Sequence, residues 1–272
     1  MAIITISRGS FSGGKLVAEC LASNLGHRCL DRDTVVEKAA QYGASPKDLL
    51  DALVKAPGYI DRTRHKRYVY LATIQAALAE EVKGGKTVYH GNAGHLLLKA
   101  IGHALRVRII APMEYRLTAL RERMPMDRSE ALTYIARVDE ERRRWTRYLY
   151  GVSWEDPELY DAVLNLEHID IPEACDLIGT MAQTGRFRET PELLAAAQDL
   201  ALASSVRAQL AVHPATSSLE VEVTAFKGTV YVRGPVSSRR LIERIQEIAA
   251  GAAGVQRVNV ELLAVDRETR TF

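Results

Sequence analysis

The sequence has few cysteines, no large excess of either charge and no long apolar run. Its 272 residues include 3 cysteines, Cys20, Cys29 and Cys175, whose scattered positions lack the paired spacing of a zinc site or a disulfide framework. The formal net charge is +2, which selects no class of partner. We therefore expect reduced thiols and no metal ligands among the site residues.

No segment is apolar over the roughly 20 residues that a membrane-spanning helix requires. The segment from Met1 to Ile6 lacks the basic start, long apolar stretch and cleavage site of an export signal, and it runs directly into a glycine-rich loop. We predict that this segment forms a first strand, that the chain has no membrane span and that it is cytoplasmic.

Basic residues cluster at 62–67 and at 142–144. Such runs fit either a solvated helix face or a contact with phosphate groups, and the sequence leaves both open. Binding to nucleic acid would also require aromatic side chains interleaved on a DNA- or RNA-binding fold, which the run at 62–67 lacks. Nucleic acid is therefore not an expected partner.

The order of apolar segments predicts an α/β fold. Residues 2–6 have the β-branched, apolar pattern of a strand that is buried on both faces of a parallel sheet. Asp127 and Glu130 are spaced as the capping box of a later helix. The predicted elements that follow the first strand are helices at 14–25, 71–82, 114–124 and 129–147 and strands at 87–90 and 105–111. This alternation predicts a doubly wound parallel sheet.

The composition changes after Ile178, and a smaller α+β domain is predicted there. Thr190-Pro191 predicts the start of an alanine-rich connecting helix, and alternating apolar residues predict a hairpin that turns at Lys227-Gly228. A helical stripe at 241–248 and a strand at 258–262 follow, which gives the order αββαβ. The predicted boundaries are 1–182 for the first domain, 183–200 for a helical linker and 201–266 for the second domain.

A phosphate-binding loop is the clearest motif in the chain. The segment from Gly9 to Lys15 has the spacing of a Walker A loop and lies between a predicted strand and a predicted helix. Its glycines let backbone N–H groups turn toward phosphate oxygens, and Lys15 adds a mobile cation. The predicted nucleotide-binding residues are Gly9, Ser10, Ser12, Gly13, Gly14 and Lys15.

Further segments accompany the loop in a fixed order. They are Ile6-Ser7-Arg8, Leu30-Asp31-Arg32-Asp33, Val88-Tyr89-His90-Gly91-Asn92-Ala93, Ala111-Pro112-Met113-Glu114-Tyr115-Arg116, Asp139-Glu140-Glu141-Arg142 and Tyr160-Asp161-Ala162-Val163-Leu164-Asn165. Together they resemble the cytidylate kinase-like family over about residues 1 to 180. The resemblance implies a P-loop fold with a helical lid, and phosphoryl transfer from ATP to a nucleoside monophosphate such as CMP, with Mg²⁺ as the second cofactor.

The resemblance also implies roles for single residues. The implied catalytic residues are Lys15, Arg142 and Asp139. Lys15 and the loop amides would hold the donor phosphates, and Arg142, which matches the lid-side Arg of the family as Asp139 matches its Asp, would stabilise charge on the transferred group. The residues implied on the acceptor side are Asp31, Arg116 and Asp161.

Structural roles for the same residues remain open. Arg116 could also pair with Glu114 or another helix carboxylate, and Asp139 with Arg142 or Arg143, as ordinary surface ion pairs. Asp161 is also placed to cap the turn into the strand that follows it.

Three positions depart from the family pattern. Leu16 stands where a Ser or Thr hydroxyl would bind magnesium. Asn92 replaces an arginine that contacts the acceptor, and His90 replaces a carboxylate. These departures favour a second hypothesis, a nucleotide-binding regulator with little or no phosphoryl transfer, whereas the retained charged residues favour the kinase.

Residues 200–265 resemble a BON domain. The resemblance rests on 223–232 with its central Gly228, on Gly234-Pro235-Val236-Ser237, and on the segment 254–260. It implies binding of a protein or another ligand, or self-association into a homo-oligomer. No set of catalytic residues is evident in this domain.

Overall fold

The computed structural model describes residues 2–45, 64–91, 93–188, 190–236 and 238–264. These residues form two compact units. The described part of the first is 2–34, 85–91, 93–188 and 190–193, and that of the second is 35–45, 64–84, 194–236 and 238–264. The sequence-contiguous domain boundaries given above stay a prediction. Arg62, Thr63, Asn92 and Ser237, which the sequence analysis singled out, lie outside the described residues.

The described helices and strands alternate along most of the chain. In chain order they are β1 (Ile3–Arg8), α1 (Gly14–Leu25), β2 (Arg28–Asp31), α2 (Arg32–Ala40), α3 (Arg64–Val82), β3 (Thr87–His90), α4 (Gly94–Leu97), β4 (Ala104–Ile110), α5 (Met113–Arg121), α6 (Arg128–Tyr150), β5 (Ala162–Asn165), α7 (Ile171–Gln183), α8 (Pro191–Val212), β6 (Glu222–Phe226), β7 (Thr229–Val236), α9 (Arg239–Ala250) and β8 (Arg257–Ala264). A short 3₁₀ turn, Pro157–Leu159, lies between α6 and β5.

The first unit is built on a five-stranded sheet in the order β2-β3-β1-β4-β5. Every neighbouring pair in it is parallel. The sheet is flanked by helices, which confirms the predicted α/β class. Because the strands are parallel, their carboxyl ends lie at one edge of the sheet, and the segment after β1 begins at this edge.

One face of this sheet packs against α1 and α7. Ile4 and Ile6 of β1 are 0% and 1% exposed, and they share a buried cluster with Val17 and Leu21 of α1 and Ile178 of α7. Burying each of these side chains contributes about 2 kcal/mol. The packing therefore fixes both ends of the loop between β1 and α1.

Helix α6 starts at the capping box that the sequence predicts. The Glu130 N–H donates to Asp127 Oδ1 at 2.9 Å, and the Asp127 N–H donates to Glu130 Oε2 at 3.0 Å. The helix then runs to Tyr150, where Gly151 adopts a left-handed C-cap. Among the residues that the structure describes, no helix is both long and apolar enough to cross a membrane.

The C-terminal part of the second unit has the predicted order αββαβ. Strands β6 and β7 form an antiparallel hairpin, and β7 pairs with β8 in parallel through the crossover helix α9. Lys227 and Gly228 have φ values of 48° and 77°, as a two-residue hairpin turn requires. Val230, Val232 and Ile245 are each 0% exposed and form its core.

Candidate active site

Two glycines of the loop between β1 and α1 leave no room for a side chain. Gly13 has φ 80°, and a Cβ added there would lie 2.7 Å from Leu166 Cδ1 and 2.8 Å from the Tyr115 hydroxyl oxygen. A Cβ at Gly14 would lie 2.7 Å from Arg8 Cβ. Both positions therefore require glycine for the observed path of the loop.

Hydrogen bonds from within the loop tie its base to the sheet. The Ser12 hydroxyl oxygen is 3.0 Å from the Gly9 carbonyl oxygen and 3.1 Å from that of Ile109, and it can donate to either. The Gly9 N–H also donates to the Ile109 carbonyl at 3.3 Å. Gly9 and Ser12 thus hold the shape of the loop against strand β4.

Asp139 and Arg116 fasten the other side of the loop to α5 and α6. Asp139 Oδ1 accepts hydrogen bonds from the Ser10 hydroxyl at 2.8 Å and from the Ser10 N–H at 3.4 Å. Arg116 pairs with Asp139 Oδ2, and its Nε donates to the Ser10 carbonyl at 2.7 Å. The backbone N–H and the carbonyl of Ser10 are therefore each bonded to a different helix of the first unit.

These contacts correct the named partners Glu114, Arg142 and Arg143, and confirm the alternative that Arg116 pairs with another helix carboxylate. Arg116 pairs with Asp139, whereas Glu114 pairs with Arg128, which donates to it at 2.6 Å. Arg143 instead contacts the carboxylates of Glu140 and Glu155. Helix spacing could not reveal the Arg116–Asp139 pair because its members belong to different helices.

A cavity of about 470 Å³ opens beside the loop. Its volume lies within the range of small-molecule sites. Four cationic side chains face it together with Glu122, while part of its wall is apolar or aromatic. The cations are Arg8, Lys15, Arg123 and Arg142, and the apolar and aromatic residues include Phe11, Leu16, Tyr115, Tyr134 and Val138. A concave surface of this kind suits an anionic ligand with a flat apolar part.

The arginines around the cavity repel one another. Burial, and then the charges of Arg32 and Arg123, lower the pKa of Arg8. Burial, and then the charge of Arg8, lower the pKa of Arg142 to about 10. Both groups are nevertheless charged at neutral pH, so the cavity carries positive charge that an anion would neutralise.

Lys15 is an exposed member of this set of cations. Its side chain is 50% exposed, and its Nζ lies 3.6 Å from Glu19 Oε1 one turn later in α1. An exposed pair of this kind contributes little to stability. Lys15 is therefore free to turn toward a phosphate at small cost.

Asp31 lies at the carboxyl end of β2, next to the end of β3. Its Oδ1 accepts hydrogen bonds from the Thr34 N–H at 2.8 Å and from the Thr34 hydroxyl at 2.7 Å, so it caps α2. The Thr34 N–H is the main cause that lowers the pKa of Asp31. In the neighbouring strand, His90 is paired with Asp31 in register, and burial, followed by the charge of Arg8, lowers the pKa of His90. His90 is thus neutral at pH 7.

Asp161 lies at the opposite edge of the sheet from the loop. Its carboxylate accepts hydrogen bonds from the Arg106 backbone N–H at 2.8 Å and from the Arg106 guanidinium at 2.9 Å and 3.1 Å. Arg106 pairs in register with Thr5, whereas the loop follows Arg8. The structure therefore does not bring Asp161 together with Lys15 and Arg142, and its acceptor role stays a prediction from the resemblance.

Two cavity arginines were missed as site residues. Arg8 belongs to the segment Ile6-Ser7-Arg8, directly before the first glycine of the phosphate-binding loop, and this position could have identified it as a site residue. Arg123 follows α5, and no motif marks it. The Arg8 Nε is buried and has no hydrogen-bond partner among the described residues. That orphaned donor identifies Arg8 as a group still short of an acceptor.

The side chains near the loop do not form a magnesium site. Leu16 replaces the usual hydroxyl, and its side chain faces the cavity. Asp139 already accepts from Ser10 and Arg116, and Asp31 from Thr34. The part of the chain that the structure describes contains no group of three or more His, Cys, Asp or Glu side chains able to hold a metal ion.

Comparisons with known proteins agree with this arrangement. The family model of the cytidylate kinase-like family matches residues 3–168, and that of the BON domain matches residues 198–266. A cytidylate kinase from Ignicoccus hospitalis is 29% identical over 168 residues, which cover 61% of this chain and 90% of the relative. The crystal structure of an uncharacterized protein from Eubacterium ventriosum matches with a TM-score of 0.54 at 18% identity, over 68% of this chain and 100% of that protein. This last likeness supports the fold alone.

Proposed function

Because the chain belongs to the cytidylate kinase-like family, we propose that it transfers the γ-phosphoryl group of ATP to a nucleoside monophosphate, with CMP as the first acceptor to test. The observation that carries the proposal is the cavity in which the phosphate loop meets Arg8, Lys15, Arg123 and Arg142. In the reaction, the bond between the γ-phosphorus and the oxygen of ADP breaks. A bond to an oxygen of the acceptor phosphate forms, which yields ADP and a nucleoside diphosphate.

The donor phosphates would lie on the loop. The N-terminus of α1 and the loop amides would donate to phosphate oxygens, and Lys15 would reach the outer phosphates. Arg142 is held by a 3.3 Å hydrogen bond from its Nη1 to the Arg8 carbonyl, so its charge stays beside the loop. We assign Arg142 to stabilising the charge on the transferred group.

Asp139 and Arg116 would act by positioning. Their contacts with Ser10 orient the two peptide groups on either side of this residue. In this proposal they keep the loop amides aimed at phosphate, and Asp139 makes no contact with the reacting atoms. Asp31 ends β2 at this same edge of the sheet and is kept as an acceptor-side candidate.

Magnesium would arrive with ATP in this proposal. The phosphates and water would supply most of its ligands, as is common for this ion, because the described residues contain no group of three or more His, Cys, Asp or Glu side chains that could hold it. When bound, the ion would neutralise phosphate charge. A cytoplasmic location, where ATP is made and used, is part of the same proposal.

The C-terminal BON domain would add an interaction surface. Phe226, at the end of β6, is 60% exposed and could contact a partner. We propose binding of a protein or another ligand, or self-association, for this domain. The second candidate function is a nucleotide-binding regulator that acts through it, and the absence of a hydroxyl at Leu16 favours that candidate.

The deciding experiment is release of ADP from Mg-ATP in the presence of CMP, dCMP, UMP, AMP or GMP, each offered separately. The test variant is Lys15→Ala, and the matched control is Lys83→Ala, which removes an exposed lysine outside the loop. We expect acceptor-dependent turnover that Lys15→Ala abolishes and Lys83→Ala leaves unchanged. If no acceptor supports turnover, while ATP binds the wild type but not Lys15→Ala, the kinase is refuted and the regulator remains.

A further inference from the structure

The cavity beside the loop contains several arginines, and it lacks the hydroxyl that usually binds magnesium at the position of Leu16. Leu16, 46% exposed, occupies the motif position of the magnesium-binding hydroxyl. The guanidinium groups of Arg8, Arg123 and Arg142 face the same cavity as Leu16. The two observations therefore concern a single space beside the loop.

These arginines have few partners within the protein. Among the described residues, Arg142 donates one hydrogen bond, from its Nη1 to the neutral carbonyl oxygen of Arg8 at 3.3 Å. The buried Arg8 Nε has no hydrogen-bond partner among the described residues. Asp139 is committed to Ser10 and Arg116, and Glu122 is the single carboxylate among the described residues that line the cavity, so Arg8, Lys15, Arg123 and Arg142 leave net positive charge there for an anion.

We propose that the guanidinium groups of Arg8, Arg123 and Arg142 neutralise the nucleotide phosphates in place of a protein-held magnesium ion, so that the chain binds a nucleoside triphosphate almost as tightly without magnesium as with it. This inference rests on the proposed function, because it assumes that the cavity takes a nucleotide.

The chemistry of the two kinds of group supports the substitution. Magnesium demands near-ideal octahedral geometry and normally uses an oxygen ligand from the protein. A guanidinium group stays charged over the working pH range and can offer two parallel N–H donors to a phosphate. It is also fixed to the chain, so its charge is present before the nucleotide arrives.

The test is isothermal titration calorimetry of the full chain with AMP-PNP, a non-hydrolysable ATP analogue, in excess magnesium chloride and in EDTA. We expect dissociation constants that differ by less than about threefold between the two conditions. Binding that is more than about tenfold weaker in EDTA would overturn the inference and leave the proposed function standing. Failure to bind in either condition would overturn both.

Variants test whether Arg8 is responsible for nucleotide binding in the absence of magnesium. Arg8→Met keeps the apolar stem and removes the charge, and we expect it to weaken AMP-PNP binding in EDTA by about tenfold or more. The matched control is Arg144→Met, which removes an equal charge from a position on α6 that is 66% exposed. Equal losses in the two variants would overturn the role of Arg8. Melting curves from circular dichroism establish that each variant is folded.

Leu16→Thr tests the other half of the inference. This variant restores a hydroxyl at the motif position, so we expect magnesium to tighten AMP-PNP binding at least threefold more than it does for the wild type. An identical magnesium effect in both proteins would overturn the premise that this position sets the metal dependence.

Discussion

Replacing Gly13 by alanine should destabilise the first unit far more than the same change at Gly9. An alanine at φ 80° costs about 1–2 kcal/mol because its Cβ crowds the backbone. The new Cβ would also lie 2.7 Å from Leu166 Cδ1 and 2.8 Å from the Tyr115 hydroxyl, and relieving such contacts costs about 1–3 kcal/mol. The expected loss in the free energy of unfolding for Gly13→Ala is therefore about 2–5 kcal/mol.

Gly9→Ala is the matched control. Its added Cβ would have its nearest contacts at 3.6 Å, to Ser12 Cβ and Oγ, which is ordinary van der Waals distance. We expect it to change the free energy of unfolding by less than about 1 kcal/mol.

Tryptophan fluorescence during urea unfolding is the appropriate assay. Both tryptophans of the chain, Trp145 and Trp154, belong to the first unit, so the signal reports this unit. AMP-PNP binding should weaken in Gly13→Ala, because a displaced loop misdirects its amides. Equal stability of the two variants would refute the geometry described for the loop.

Two further predictions concern a buried histidine and the loop contact. His95 packs against Tyr160, both of its ring nitrogens lack hydrogen-bond partners among the described residues, and burial lowers its pKa to about 3. In the unfolded chain the His95 ring takes up a proton near pH 6.5, whereas in the folded chain it stays neutral down to about pH 3. The free energy of unfolding therefore decreases as the pH is lowered below 6.5, by about 2 kcal/mol between pH 6.5 and pH 5. Urea unfolding should show this loss in the wild type and a smaller one in His95→Gln, and parallel pH profiles would contradict it. Asp139→Asn removes the charge that pairs with Arg116, and we expect AMP-PNP affinity to fall about tenfold, since hydrogen bonds to charged groups contribute about 1.5–3 kcal/mol each. Glu140→Gln, an exposed neighbour on α6, is its control, and equal affinities for both variants would show that the Ser10 contact does not position the loop.

The sequence predicted those structural features whose geometry is set by residues close together in the chain. The glycine spacing around Lys15 identified the loop, the Asp127–Glu130 pair identified the start of α6, and Lys227-Gly228 identified the hairpin turn. In each case the side chains that determine the geometry lie within a few positions of one another. Periodicity and spacing therefore contain the necessary information.

Contacts between distant segments were beyond such patterns. Asp139 lies 129 positions from Ser10 in the sequence, and Asp161 lies 55 positions from Arg106. The strand order β2-β3-β1-β4-β5 and the packing of α6 determine which of these groups come into contact. The family resemblance named both Asp139 and Asp161 as site residues, but the fold places Asp139 at the loop and Asp161 at the opposite edge of the sheet.

The anchoring of Ser10 has a mechanical consequence for α6. This helix has 23 residues, so it is about 35 Å long, and Asp139 lies near its middle. Contacts of Arg128 with Glu114 and of Arg143 with Glu155 hold the helix on either side of Asp139. A tilt of α6 about Asp139 would therefore turn the backbone at Ser10 more than it would displace the loop.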